Sequence, residues 1–356
     1  MSSPLGHHFI VGLSASSLST EEKRALAELR PSGIILFKYN FADSHDWPKK
    51  LSELIGTAKE ASGRDKFIVS IDHEGGKVHR LKSPVTRFPA ACCWGEKAKA
   101  VGRGMGQELA SLGINLNFAP VLDIHSEESN PIIGDRAFAK TASDVSTSAK
   151  QFLKAMEAEG VMGCGKHFPG HGDTRTDSHL ELPVLDWSIE ELTERELVPF
   201  KDLIEAGLKM LMTAHVLYPK LDPDNPATLS KKIITDFLRE QLNYKGTVIS
   251  DALEMKALKQ EERVENIRKA LNAGVDFLLM AQSENSLPVL EALEAANKIS
   301  KHPQKITADL DLSKERIDQW LLELNSKAGT KVSIEDCSKN NQELCAEILR
   351  KSGSSA

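Results

Sequence analysis

The sequence predicts an α/β fold in which eight buried strands alternate with amphipathic helices. Its apolar, β-branched runs are continuous rather than alternating, as expected for strands that are covered on both faces. Helical stretches lie between these runs, and two of them, 143–160 and 261–274, end at a glycine directly before the next run, the usual connection from helix to strand. The strand candidates are 8–14, 33–39, 67–72, 115–124, 161–168, 208–216, 246–252 and 274–280. Eight strand–helix units over about 290 residues are typical of a (β/α)8 barrel, the TIM-like fold.

The starts of two helices carry a local signal. Ser19 and Glu22 form a predicted capping box in "STEEKRALAELR", and Ser188 and Glu191 repeat it at the start of "SIEELTERELVPFKDLIEAG", which is predicted to be one helix. A doubly wound open sheet is the alternative architecture for such a pattern. No GxGxxG turn follows the first strand to favour it, so the barrel is the better prediction.

The pattern changes after about residue 303. "ADLDLSKERIDQWLLELNSK" and "NNQELCAEILRK" each predict a helix, and the polar tail "SGSSA" is typical of disorder. We therefore predict a barrel over residues 1–303 that carries the functional site. Residues 304–356 are predicted to be C-terminal helices packed on the barrel, followed by the disordered tail.

Composition and charge argue against several functional classes. The 356 residues carry a formal net charge of −6, whereas a nucleic-acid or anionic-membrane partner usually requires a basic face. No apolar run approaches the roughly 20 residues that span a bilayer. The N-terminus lacks a basic segment, and its apolar core "FIVGL" is too short for a secretory signal. The five cysteines form no CxxC pair and are odd in number, so reduced thiols and a cytoplasmic location are expected.

Charged and imidazole side chains follow five consecutive predicted strands. They are Asp72, Asp123, Lys166 with His167, His215 and Asp251. In a barrel the carboxyl ends of all strands open onto one face, where catalytic groups are found. A single aspartate at such a position is often only a helix cap, but five strands in a row with such side chains predict a functional site.

The stretch "GKHFPGHGDTRTDSHLELP" (165–183) concentrates three histidines among glycines and aspartates. Two chemistries need such histidines. His167, His171 and His179 with Asp173 could bind zinc, which takes three or four nitrogen, oxygen or sulfur ligands, although their spacing matches no common zinc motif. Alternatively, a histidine could act as an acid/base group near neutral pH. A metal-dependent hydrolase using this cluster therefore stays open as an alternative.

Several motifs together carry a family resemblance. "KHFPGHGDTRTDSH", "IDHEGG", "GDRAF", "MTAHVLYP", "PATLS" and "ISDALEMKAL" resemble glycoside hydrolase family 3, in particular its single-barrel bacterial branch, the β-N-acetylglucosaminidases of peptidoglycan recycling. The resemblance covers roughly residues 8 to 300. It implies a retaining exo-β-N-acetylhexosaminidase on a TIM-like barrel that needs no metal or other cofactor.

The resemblance also implies roles for individual residues. Asp251 matches the family nucleophile, and an Asp–His dyad that serves as acid/base maps onto Asp177 and His179. A spacing of two residues lets the carboxylate reach the imidazole, fix its tautomer and support its protonated form. The sugar-binding residues that the resemblance implies are Asp72, Arg80, Arg136, Lys166 and His167.

The expected substrate is a muropeptide, N-acetylglucosamine β-1,4-linked to anhydro-N-acetylmuramic acid with or without its peptide. The enzyme would remove the terminal N-acetylglucosamine by double displacement. A β-glucosidase and a β-N-acetylglucosaminide phosphorylase on the same scaffold are the alternatives within the family, because phosphate could replace water beside a neutral histidine base. We expect neither a nucleic-acid nor a membrane partner. The expected oligomeric state is a monomer or a weak dimer.

Overall fold

A computed structural model describes residues 4–174, 181–282, 287–326 and 333–352 of the chain. The predicted dyad of Asp177 and His179 lies outside these residues, and so does the predicted tail over 353–356. Among the helices of the described ranges, none combines the length and apolar character needed to cross a membrane.

The strands form a closed parallel barrel. They are β1 (Phe9–Gly12), β2 (Gly33–Leu36), β3 (Ile68–Ile71), β4 (Leu116–Asn117), β5 (Met162–Gly163), β6 (Gly165–Phe168), β7 (Met210–Thr213), β8 (Thr247–Ile249) and β9 (Leu278–Met280). One sheet has the order β5-β4-β3-β2-β1-β9 and the other β6-β7-β8, with every pair parallel. Single bridges from Val121 to Lys166 and from Ile249 to Phe277 join the two sheets. Because β5 and β6 together occupy the predicted strand 161–168, the ring corresponds to the eight predicted strands, and the (β/α)8 prediction is confirmed.

Ten α-helices are described, together with a π-helix at Lys232–Gln241. They are α1 (Thr20–Leu29), α2 (Trp47–Ser62), α3 (Ala98–Ser111), α4 (Ala142–Ala158), α5 (Ile189–Glu194), α6 (Val198–Glu205), α7 (Arg263–Ala273), α8 (Pro288–Ser300), α9 (Leu310–Ser326) and α10 (Ile334–Ser352). Both predicted capping boxes are present, with each serine and glutamate bonded reciprocally to the other's backbone N–H. The prediction of one helix from Ser188 onward is wrong. The chain breaks between α5 and α6, where Pro199 in the first turn of α6 supplies no N–H and favours a new helix start.

The C-terminal helices pack on the barrel in two places. Helix α9 contributes Ile317, Trp320, Leu321 and Leu324 to the apolar cluster inside the barrel. Arg316 of α9 pairs with Asp276, two residues before β9, so the helix lies at the end of the barrel where the strands begin. Helix α10 packs on α3. The domain boundary near residue 303 stays a prediction. Side chains of α9, beyond that boundary, belong to the same apolar cluster as the barrel strands.

Candidate active site

A cavity of about 610 Å³ opens at the carboxyl ends of the strands. All six predicted site residues within the described ranges line it, namely Asp72, Arg80, Arg136, Lys166, His167 and Asp251. Its volume lies in the range of roughly 300–1,000 Å³ that is usual for small-molecule sites. Of the residues that the sequence placed at strand ends, Asp72, Lys166, His167 and Asp251 therefore line one space. Asp123 and His215 do not line it and contact the residues that do.

A buried network of two cations and two carboxylates forms one wall. Arg136 donates from Nε and Nη2 to the two carboxylate oxygens of Glu74, at 2.7 and 2.9 Å. The Nζ of Lys166 lies 2.5 Å from Glu74 Oε1 and 2.9 Å from Asp72 Oδ1. Burial opposes the ionised form of Glu74, but Arg136 and Lys166 hold its pKa below the ordinary value. Charges held in such a network are fixed before a ligand arrives, so they can orient its polar groups.

Glu74 has no role among the sequence predictions, although it lies in the motif "IDHEGG". Its function in the network depends on Arg136, 62 residues further along the chain. A signal was nevertheless present in the sequence, because Arg136 and Lys166 were both predicted at the site, and cations that are buried together require paired carboxylates.

Asp123 fixes the position of His167. The Oδ2 of Asp123 lies 2.6 Å from Nδ1 of His167, and its Oδ1 accepts the backbone N–H of His171 at 2.7 Å. Asp123 is fully buried, and burial alone would raise the pKa of its carboxyl group. The neighbouring His167 instead keeps the pKa of Asp123 below the ordinary value. With Nδ1 engaged by a carboxylate, Nε2 is the ring nitrogen left for a bound ligand.

Asp251 follows β8, and hydrogen bonds of its own carboxylate and of the adjacent Ala252 fix its position. Its Oδ1 accepts the backbone N–H of Ala252 at 2.7 Å. His215 lies 3.0 Å from the carbonyl oxygen of Ala252 through Nε2 and 2.8 Å from Thr228 Oγ1 through Nδ1. Burial opposes ionisation of Asp251, but His215 and His167 lower its pKa below the ordinary value. The carboxylate is therefore ionised at neutral pH, as a nucleophile requires.

Arg195 contacts both sides of the segment 175–180, which contains Asp177 and His179. On one side, Nη2 of Arg195 lies 3.0 Å from Oδ1 of Asp173. On the other side, the Arg195 guanidinium lies 4.2 Å from the centre of the Trp187 ring. Arg195, at the end of α5, thus contacts one residue before this segment, Asp173, and one residue after it, Trp187.

The metal alternative finds no support in the described part of the chain. No group of three histidine, cysteine, aspartate or glutamate side chains there is arranged to hold a metal ion. His167 and His171 each use Nδ1 in a hydrogen bond, with Asp123 and with Thr174 respectively. The third histidine of the predicted cluster, His179, lies outside the described residues.

A second wall of the cavity is mostly apolar, and sequence reasoning did not identify it. Ile35, Phe37, Leu279 and Ala281, from the ends of β2 and β9, line the cavity and belong to the apolar cluster inside the barrel. Glu254 lies among the same lining residues. This wall could not be read from the sequence because its members are about 240 residues apart along the chain.

Comparisons with known proteins give one consistent result. The model of the glycosyl hydrolase family 3 N-terminal domain matches residues 9–319. A β-hexosaminidase from Methylococcus capsulatus is 38% identical over 287 residues, which are 78% of this chain and 84% of the relative.

Solved structures agree with these sequence matches. A family 3 β-N-acetylglucosaminidase from Paenibacillus superposes with a TM-score of 0.86 at 32% identity, covering 97% of this chain and 68% of that one. NagZ from Neisseria gonorrhoeae, solved with N-trifluoroacetyl-D-glucosamine, superposes with a TM-score of 0.75 at 29% identity, covering 96% and 97%. NagZ has also been solved with a zinc ion.

Proposed function

The chain belongs to glycoside hydrolase family 3, and from that premise we propose that it is a retaining exo-β-N-acetylglucosaminidase acting on muropeptides. The observation that carries the proposal is the position of Asp251. Its ionised carboxylate lines the same cavity as the buried network of Asp72, Glu74, Arg136 and Lys166. A nucleophile beside a preorganised sugar-binding wall is what a double displacement requires.

In the first step, a carboxylate oxygen of Asp251 attacks the anomeric carbon of the terminal sugar. The bond from that carbon to the leaving oxygen breaks, and His179 donates its proton to that oxygen. The product is a glycosyl ester on Asp251. In the second step, His179 takes a proton from water, the water oxygen attacks the anomeric carbon, and the ester bond breaks. Two inversions give overall retention. Asp177 supports the imidazole in its protonated form before the first step and again after the second, and orients the neutral ring in between.

The sugar-binding wall would hold the hydroxyls of the terminal sugar. Asp72 and Lys166 are joined at 2.9 Å, so one pair offers both an acceptor and a donor to neighbouring hydroxyls. His167 adds Nε2, held in place by Asp123. Arg80 lies with its guanidinium 5.8 Å from the Phe37 ring centre and, among the described residues, pairs with no carboxylate. Buried donors and acceptors of this kind reject sugars that leave them unsatisfied.

The muropeptide substrate is supported by resemblance. The relatives are named as β-hexosaminidases and β-N-acetylglucosaminidases, and NagZ binds an N-acylated glucosamine. A cavity of about 610 Å³ accommodates one terminal sugar. An exo-acting enzyme needs to enclose only that terminal sugar, because the aglycone can extend out of the cavity opening.

The proposal is tested with a defined disaccharide-peptide, N-acetylglucosamine β-1,4-linked to anhydro-N-acetylmuramoyl peptide. Purified protein should release free N-acetylglucosamine from the non-reducing end, with the β-anomer formed first as followed by NMR. Chitobiose and p-nitrophenyl β-glucoside serve as comparison substrates. Efficient cleavage of the glucoside with none of the disaccharide-peptide would contradict the substrate assignment.

Two additions to the same assay separate the alternatives. If phosphate is the acceptor, N-acetylglucosamine 1-phosphate accumulates when phosphate is added, which would replace hydrolysis by phosphorolysis. If the histidines hold an essential metal, EDTA abolishes activity and zinc restores it. We expect free N-acetylglucosamine in both buffers and full activity in EDTA.

A further inference from the structure

Glu254 is a carboxyl group in the cavity that the chemistry above does not use. It follows Asp251 by three residues, and its Oε1 accepts the backbone N–H of Gln282, just after β9. Its Oε2 is buried and, within the described residues, has no hydrogen-bond partner. Buried polar atoms nearly always have a partner, so an unpartnered one in the lining of a cavity marks a place for a polar group of a ligand.

The surroundings of Glu254 favour its neutral form. Burial raises its pKa to about 7, outweighing the nearby backbone N–H groups of Gln282, Glu254 and Ala281, which lower it, and the charge of Asp251 adds to the rise. The titratable groups that act on it or respond to it are Asp251 on its own loop and Tyr39 after β2. Among the described residues, no cation lies within ion-pair distance of its carboxyl. A neutral carboxyl whose Oε1 already accepts a hydrogen bond carries its proton on Oε2, where it is a donor.

The wall around Glu254 differs in chemistry from the sugar-binding wall. Ile35, Phe37, Leu279 and Ala281 form one apolar cluster, and Ala252 packs against it. Because Ala252 is adjacent to Asp251, this apolar surface extends to the nucleophile. The cavity therefore has a charged wall on β6 and on the loops after β3 and β4, and a mostly apolar wall near Asp251 that includes Glu254.

We propose that Glu254 determines specificity for N-acetylhexosamines, donating from Oε2 to the carbonyl oxygen of the 2-acetamido group while the acetamido methyl packs on the apolar wall. This inference rests on the proposed function. The acetamido group is attached to C2, directly bonded to the anomeric carbon that Asp251 attacks, so it lies close to the nucleophile and its loop. An acetamido group combines one carbonyl acceptor with one methyl, which matches a donor on Glu254 beside an apolar surface. The hydroxyls further around the ring need the many donors and acceptors of the charged wall.

A ratio of substrates isolates this contact. We measure kcat/KM for p-nitrophenyl β-N-acetylglucosaminide and divide it by kcat/KM for p-nitrophenyl β-glucoside. Attack by Asp251 and proton donation by His179 are common to both substrates, so their pH dependence cancels in the ratio. As Glu254 ionises and loses its donor, the wild-type ratio should fall about tenfold between about pH 6 and about pH 9.

Two variants and one control complete the design. Glu254→Gln keeps an N–H donor at every pH, so its ratio should stay within about threefold of the wild-type value at pH 6 and show no pH dependence. Glu254→Leu removes the donor and should lower the ratio at least about tenfold at pH 6. Glu291→Gln alters another cavity carboxyl, one that is paired with Arg263, and should keep the wild-type pH dependence of the ratio.

The outcomes separate this inference from the proposed function. A wild-type ratio that is constant over the pH range, or an unchanged ratio in Glu254→Leu, overturns the role of Glu254 alone. Absence of any turnover of the N-acetylglucosaminide by the wild type overturns the proposed function itself. Where the glucoside reacts too slowly, the ratio of inhibition constants for free glucose and N-acetylglucosamine takes its place with the same expected pH dependence. The wild-type profile and the glutamine variant decide the question even where the leucine variant does not fold.

Discussion

At Asp251, burial and nearby imidazoles act in opposite directions on one carboxyl group, and the imidazoles prevail. Asp251→Asn keeps the shape of the side chain and an oxygen for the Ala252 N–H, but an amide cannot form the glycosyl ester. We expect kcat to fall by about 1,000-fold or more, with the dissociation constant of an N-acetylglucosamine-like inhibitor within about threefold of wild type. Steady-state kinetics and calorimetry measure the two quantities.

Covalent trapping gives an independent check on the same residue. A fluorinated substrate analogue should label the wild-type enzyme on the peptide that contains "ISDALEM", as found by mass spectrometry. The Asp251→Asn variant is the matched control and should stay unlabelled. An adduct on any other peptide contradicts the assignment.

His179 and Asp177 are tested by the leaving group. Activated aryl glycosides need little protonation of the leaving oxygen, whereas a sugar aglycone needs it fully. His179→Ala should therefore lower kcat/KM for the disaccharide-peptide by at least about 100-fold more than for an activated aryl glycoside. Asp177→Asn should show the same pattern with a smaller loss, because it only misorients the imidazole. Equal losses on both substrates would count against His179 as the acid.

Glu74 links the buried network of the cavity to the stability of the fold. Glu74→Gln leaves two buried cations short of a carboxylate, so the free energy of unfolding should fall by about 3–5 kcal/mol at pH 7 in urea titrations. Folding lowers the pKa of Glu74 from an ordinary value near 4.5. The ionised carboxylate therefore contributes its full stabilisation above about pH 4.5, and this stabilisation is lost as the pH falls towards the lowered pKa. The difference between wild type and variant should therefore shrink below about pH 4.

The control for Glu74 is a carboxylate on the surface. Glu262 pairs with Lys259 across one helical turn, and both side chains are largely exposed. Glu262→Gln should change the free energy of unfolding by less than about 0.5 kcal/mol at either pH. A loss as large as that of Glu74→Gln would show that the buried network has no special role.

At the scale of elements, local signals predicted local structure well. The capping boxes at Ser19 and Ser188 each span only four residues of sequence, and both formed. The glycine-terminated helix before β9 also formed, and Gly274 ends α7 with a φ of 101°. The break between α5 and α6 was missed because the apolar spacing of the stretch continues through it, whereas the backbone does not.

Contacts between distant elements were predictable only where the barrel itself dictates them. The barrel places the carboxyl ends of the strands together, so most of the residues predicted at those ends line one cavity. The partners of these residues were not predictable. Asp123 reaches His167 across 44 positions and Glu74 reaches Arg136 across 62, and no local pattern encodes which carboxylate pairs with which cation. Likewise, the apolar spacing of α9 predicts an amphipathic helix but not the surface that it covers.

At the scale of the whole molecule, catalysis and closure of the barrel occupy opposite ends. The cavity lies where the strands end, and α9 covers the end where they begin. Trp320 of α9 is 3% exposed and meets the ring of Phe277 edge-on, with the ring centres 6.0 Å apart. In such barrels the loops at the carboxyl ends of the strands carry the catalytic residues and vary with the reaction. The opposite face contributes mainly to stability. Substitutions in α9 should therefore act on folding and leave the chemistry alone.

Trp320→Ala should lower the free energy of unfolding by about 3–5 kcal/mol, because the surrounding barrel cannot close the space that the ring leaves. Measured below its unfolding temperature, kcat/KM should stay within about twofold of wild type. Trp320→Phe removes less volume, so it should cost less and provides a folded variant if the alanine variant fails to fold. Leu322→Ala, on the same helix but 59% exposed, is the matched control and should cost less than about 0.5 kcal/mol. A large loss of kcat/KM in folded Trp320→Phe would contradict this separation, because it would mean that the two ends of the barrel are coupled.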